Sequence, residues 1–116
     1  MGVVRVLHDG SPLATDVDVA DTKLSQARGL MFRRSIPDSY ALVFRFGDVA
    51  RRDVHMLFVP FPLDALWLVD GEVTHVKRLR PWIGLGVAEA DTLIELPAGA
   101  ADGIEPGDAV RLDPTD

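Results

Sequence analysis

The sequence predicts a small α+β domain, mostly antiparallel and barrel-like, with one short helix at about residues 22–31 and short helical turns elsewhere. Three observations lead there. The chain has 116 residues, which by length is a single domain spanning 1–116. Roughly seven or eight short apolar stretches are separated by Gly-, Pro- and Asp-rich punctuation. Only one stretch has helical spacing, and that many strands in so short a chain imply a sheet that curls or closes on itself.

The elements follow in order. Val3–Leu7 reads as a strand, closed by the turn cluster His8-Asp9-Gly10-Ser11-Pro12. Leu13–Ala20 alternates weakly and reads as the return strand. Asp21-Thr22 offers an N-cap, and Leu24, Ala27, Leu30 and Met31 recur at helical spacing behind it. Gly29 costs a helix about 1 kcal/mol relative to Ala, so either the helix ends there or another chain segment packs closely on it. Ala41–Phe46 is a strand, Gly47–Asp53 a connector, and Val54–Val59 a strand broken by Pro60 and Pro62. Ala65–Val69 and Glu72–Leu79 form a hairpin about Asp70-Gly71, the pairing a type I′ turn favours. Arg80–Val87 reads as a loop, Thr92–Leu96 as a strand, Ala98–Gly103 as a helical turn of small residues, Ala109–Leu112 as the last strand and 113–116 as a frayed tail.

Composition excludes several chemistries. There is no cysteine, which removes disulfides, thiolate metal sites and thiol nucleophiles. No apolar run is long enough for a membrane helix, and Met1–Leu7 lacks the layout of an export signal, so a cytoplasmic protein is expected. The formal charge is −6, yet residues 28–80 carry nine of the twelve basic groups and six of the eighteen acids. A basic middle within an acidic chain disfavours nucleic-acid binding and permits a local anion site. The preference for Asp over Glu and Arg over Lys suits a high-salt cytoplasm; a GC-rich genome produces the same bias.

Five blocks are familiar in order and spacing: T-x5-R-G-L-M-F-R over Thr22–Arg33, Pro62-Leu63-Asp64, L-V-D-G-x-V over Leu68–Val73, I-E-L-P-A-G over Ile94–Gly99, and G-I-x-P-G-D over Gly103–Asp108. From about residue 17 to 110 the chain resembles domain-of-unknown-function family 192, also called uncharacterised protein family 0127. The resemblance implies a compact β-rich α+β fold and no established activity. Relatives usually read F-W-M-K-N-T where this chain has Val54-His55-Met56-Leu57-Phe58-Val59, so the polar Lys, Asn and Thr of that block are replaced here by apolar residues. Where relatives read G-M-L-F, Tyr40-Ala41-Leu42-Val43-Phe44 stands.

The candidate site residues are Arg28, Arg33, Arg34, His55, Asp64, Trp82 and Glu95. Arginines at a helix end can hold a carboxylate or phosphate by bidentate hydrogen bonds; alternatively Arg28 or Arg33 pairs with Asp64 or Glu95 inside the molecule. Glu95, between Ile94 and Leu96, faces solvent or, if it points inward, needs a partner. Trp82 sits in a Pro-flanked loop, as an exposed contact or a lid, whereas most of Phe44, Phe46, Phe58, Phe61 and Trp67 belong in the core. His8, His55 and His75 lack metal-site spacing, no serine lies in a G-x-S-x-G elbow, and no glycine loop cradles phosphate. The expectation is a cofactor-free, metal-free, non-catalytic module, monomeric, binding a small anionic or sugar-like ligand or a protein partner, with no nucleic acid or membrane. The alternative is a small hydrolase or lyase that uses Asp64 and Glu95, with His55 carrying the proton. A purely structural reading makes the shared blocks turn glycines, a core Met and a closing ion pair.

Overall fold

Runs of β-branched and aromatic residues become strands in the computed structural model, which describes residues 3–8, 10–20 and 22–115. Strands β1 (Val3–His8), β2 (Ser11–Ala14) and β8 (Val110–Thr115) form a three-stranded sheet in the order β2-β1-β8. Strands β3 (Asp16–Ala20), β4 (Tyr40–His55), β5 (Leu63–Val69), β6 (Glu72–Leu79) and β7 (Leu85–Pro97) form a second sheet in the order β3-β4-β7-β5-β6. β3 runs parallel to β4 and the other pairs are antiparallel, so this sheet is mixed.

The architecture is mostly β, and the expected barrel is not there. In the larger sheet β3 and β6 are the outermost strands, and beyond β6 there is, among the described residues, only an isolated bridge from Glu72 to Ala109 rather than a further strand, so the sheet is not closed. The chain leaves the small sheet at Thr15, where the Thr15 and Asp16 amides both donate to the Ser39 carbonyl, and enters the large one as β3. The expected single return strand 13–20 is thereby divided between two sheets. Helix content among the described residues is six, α1 (Lys23–Arg28), too little for an α+β description. Its start is the Thr22 cap: Thr22 Oγ1 accepts from the Ser25 amide while Ser25 Oγ accepts from the Thr22 amide. Its end is Gly29, at φ 50°, ψ −128°, a conformation essentially reserved for glycine.

Strand ends differ from expectation where regular hydrogen bonding outlasts the apolar pattern. The proposed connector 47–53 lies within β4, whose ladder to β7 slips between Arg45 and Ala50 and then resumes. The last three residues of the expected 80–87 loop are likewise strand, since β7 begins at Leu85. β4 ends at His55 and Met56–Val59 is a turn. Ala98–Gly103 is a succession of turns with no helix, and the supposed tail pairs with β1 as far as Thr115; Asp116 lies outside the described residues. The hairpin stands as read: Asp70 and Gly71 have φ 50° and 78°, the two positive angles that a type I′ turn requires. No helix among the described residues is long and apolar enough to cross a membrane.

The central strands are covered on both faces, so β5 is an unbroken apolar run apart from Asp64. One face gathers Leu42, Phe44, Met56, Ala65, Trp67, Leu79 and Leu93, roofed by Leu30. The opposite face gathers Val43, Leu66, Leu68, Ile94 and Leu96 with Ala14 and Val110 from the small sheet. Trp67 is fully buried, and its indole N–H donates to the Arg52 carbonyl at 3.0 Å. Gly86 lies against that ring: a Cβ there would stand 2.7 Å from Cη2 and 3.1 Å from Cζ2. Gly86→Ala is therefore expected to destabilise by about 1–3 kcal/mol through overpacking, read by urea denaturation and by a shift in tryptophan emission.

Candidate functional site

A pocket of about 110 Å³ opens on the first core face, where the end of α1 crosses β4 and β7. Its wall is apolar, built from Leu30, Met31, Phe44, Val54, Val59 and Leu93; Gln26, Arg28, Asp53 and His55 supply the polar part of the lining. An engineered cavity of about 150 Å³ takes one benzene, so this space suits a group of roughly four heavy atoms or a few waters.

Glu95 also lines it. Strand alternation decides this: Leu93 and Glu95 face the pocket while Ile94 and Leu96 face the other core. Across the ladders Glu95 sits opposite Leu42 and Ala65, so the positions directly facing it on both neighbouring strands are apolar. The residue is 5% exposed, and among the described residues no donor lies within hydrogen-bonding distance of its carboxylate. Burial alone pushes its pKa up to about 7, because the charged form loses water and gains no partner. Above it passes Gly29, whose absent Cβ would stand 3.4 Å from Phe44 Cζ and 3.8 Å from Glu95 Oε1. The glycine thus both ends the helix and lets the backbone lie close over ring and carboxylate.

Beside the pocket lies an aromatic shelf. Phe32 and Phe58 stack at 5.0 Å between centroids, and Trp82 meets Phe58 edge-on at 6.3 Å. All three are exposed, at 66%, 49% and 52%, and all three have positive φ, at 71°, 60° and 67°. A bulky residue in that region costs on the order of 1–3 kcal/mol and persists only where its surroundings hold it. Backbone hydrogen bonds do so here: the Phe32 amide donates to the Phe58 carbonyl at 2.8 Å, the Trp82 amide to the Val59 carbonyl at 3.1 Å and the Met56 amide to the Gly84 carbonyl at 3.0 Å. Two of the three shelf residues adjoin a lining residue directly in the chain, Met31 before Phe32 and Val59 after Phe58.

The residues singled out from sequence divide between these features and the rest of the molecule. Arg28, His55 and Glu95 meet at the pocket and Trp82 stands on the shelf. The His55 ring accepts from the Leu57 amide through Nδ1 at 3.3 Å. Arg33 is engaged elsewhere, 3.7 Å from Asp18 and over the Tyr40 ring, and Arg34 is exposed. Asp64 is on the opposite face: it is 2% exposed and accepts from Arg78 Nε and Nη2 and from the amides of Gly99 and Ala101. The internal ion pair expected between Arg28 or Arg33 and Asp64 or Glu95 is therefore made by Arg78 with Asp64. The two carboxyls of the hydrolase alternative do not share a cleft. Gln26, Gly29, Phe44 and Asp53 escaped the sequence reading of the site, as did Phe32 and Phe58 of the shelf; only the odd position of Gly29 within a helical pattern signalled any of them.

The comparisons with known proteins agree with this frame. A UPF0127 protein of Thermococcus sibiricus is 36% identical over 90 residues, covering 74% of this chain and 57% of the relative. A second, from Thermococcus kodakarensis, is 29% identical over 104 residues, covering 86% and 66%; the chain thus spans less than two-thirds of the length of these curated relatives. A crystal structure of a Novosphingobium aromaticivorans protein of unknown function superposes with a TM-score of 0.78 at 25% identity, covering 94% of this chain and 83% of that one. A Sinorhizobium meliloti protein, described as a possible transcription regulator, gives a TM-score of 0.82 at 24% identity over 95% and 92%, a likeness of fold alone. The family model of DUF192, described as an uncharacterized ACR, matches residues 4–112. The chain belongs to the DUF192 family.

Proposed function

We propose that this domain is a non-catalytic binding module. Its ligand is a small molecule that places a hydrogen-bonding group against Glu95, a polar part beside Arg28 and His55, and apolar surface on the Phe32–Phe58–Trp82 shelf. One observation carries the reading: a buried carboxyl without a protein partner faces an open pocket. Such a group destabilises the free fold, and a ligand donor is what would relieve it. Strained, exposed aromatics next to that pocket support the same reading, since large rigid rings give contact area at little entropic cost.

Catalysis by paired carboxyls loses its support, because Asp64 is committed to Arg78 and to backbone amides on the other face. An anion held by the Arg33–Arg34 pair loses it as well, because Arg33 is paired with Asp18.

The test is a fragment screen by NMR and thermal shift on the wild type, Glu95→Gln and Phe58→Ala. A true ligand perturbs the amides of Gly29, Val54 and Leu93, and at 100 times its dissociation constant stabilises by about 2.7 kcal/mol. Its effect is expected to vanish in Glu95→Gln and weaken in Phe58→Ala. Ligands that perturb only Arg33 and Arg34, or the Asp64 face, would defeat the reading.

A further inference from the structure

We infer that the group received at Glu95 is a compact organic cation, an ammonium or guanidinium head on a short stem. This rests on the binding reading above and adds the charge of the ligand to it. The side chains that neighbour the carboxylate on its own strand and across both ladders are Leu93, Leu42 and Ala65, so no countercharge comes from the sheet. Among the described residues the other formally charged groups in the lining are Arg28 at the end of α1 and Asp53 on β4, with His55 beside Asp53. Arg28 and Asp53 offset one another, and an ionised Glu95 leaves the pocket with a charge of about −1. A bound monocation completes that balance. A neutral hydroxyl would leave a buried carboxylate uncompensated, and an anion would meet like charge.

The aromatic neighbour points the same way. Phe44 Cζ stands 3.4 Å and Glu95 Oε1 3.8 Å from the position a Cβ on Gly29 would take, and both residues line the pocket, so ring and carboxylate share one stretch of its wall. Cations gain from such a ring face, whereas alcohols and carboxylates do not. The volume of about 110 Å³ admits a primary ammonium with a short alkyl stem or a guanidinium.

The experiment titrates the full chain at pH 8 with propylammonium, guanidinium, propanol and propionate, following the Gly29 and Leu93 amides by NMR. At least one cation is expected to bind about tenfold more tightly than propanol or propionate, and the two cations tell which head group is preferred. Affinity should fall by about tenfold per unit as pH drops below 7 and Glu95 takes up its proton. Glu95→Gln should remove the preference for cations. As a measurement that needs no variant, binding near pH 7 should release about half a proton, seen calorimetrically in buffers of different ionisation enthalpy. Propanol or propionate binding as tightly as the cations at these amides would overturn the inference and leave the binding reading standing. Cations binding equally well to Glu95→Gln would also overturn it. If neither these probes nor a fragment library moved the pocket amides, both would fall.

Discussion

Asp64→Ala is expected to lower stability by about 3–5 kcal/mol, a large share of the roughly 5–15 kcal/mol available to a domain of this kind. The reason lies in what the side chain joins. At the start of β5 its two oxygens accept from Arg78 Nε at 2.8 Å, Arg78 Nη2 at 3.3 Å, the Gly99 amide at 2.9 Å and the Ala101 amide at 3.0 Å. Truncation strands two backbone N–H groups, the one at Ala101 buried. Arg78, half exposed and also bonded to Asp102 at 2.7 Å, can turn to solvent, so Arg78→Ala should cost less. The double variant should be close to Asp64→Ala alone, because most of the loss is on the turn. Urea denaturation and hydrogen exchange at the Ala101 amide measure both effects. A loss below about 1 kcal/mol would show that turns 97–104 hold themselves through their own bonds, such as Ala100 amide to Pro97 carbonyl.

Asp64 also shows what the sequence could and could not disclose. The Pro62-Leu63-Asp64 and Ala98-Gly99 blocks were visible as signatures, but not that one supplies the acceptor and the other the donors. Local chemistry was legible wherever it is self-contained. The Thr22 cap, the Gly29 stop and the Asp70-Gly71 turn each depend on a few adjacent residues, and each lies where the pattern placed it. Strand lengths were less legible, because β4 and β7 continue through polar stretches such as 47–53 on the strength of pairing to each other. Closure was misjudged for a related reason: counting strands does not reveal that the chain switches sheets at Thr15. At the site, the facing of Glu95 turns on a one-residue register. Alternation offers both faces equally when the residues on either side are Ile94 and Leu96. The shelf was hidden more deeply, since Phe32, Phe58 and Trp82 come from three separate turns and only Trp82, in its Pro-flanked loop, reads as an exposed contact in sequence.

The same buried carboxyl should give the protein an unusual pH dependence. Glu95 titrates near 4.5 when unfolded and near 7 in the fold. With the folded value raised, the native state holds its proton more tightly than the unfolded chain. The group's contribution is therefore complete below about pH 4.5 and is lost progressively as pH climbs to about 7, after which the penalty is constant. The slope is about 1.4 kcal/mol per pH unit within that window, about 3 kcal/mol in all. Other carboxylates act in the opposite sense at low pH, so the informative quantity is wild type minus Glu95→Gln. That difference should move against the wild type by about 3 kcal/mol between pH 4.5 and 8.5, or roughly 10 °C in Tm for a domain of this size. Melts at half-unit steps would trace it. The variant should thus be the more stable protein in alkaline solution while having lost its ligand, the usual sign of a residue kept for function at the expense of the fold. Saturating ligand, by supplying the missing partner to the ionised form, should flatten the wild-type curve. Two parallel curves would instead mean that Glu95 is already solvated or paired in solution, which would remove the observation on which the binding reading stands.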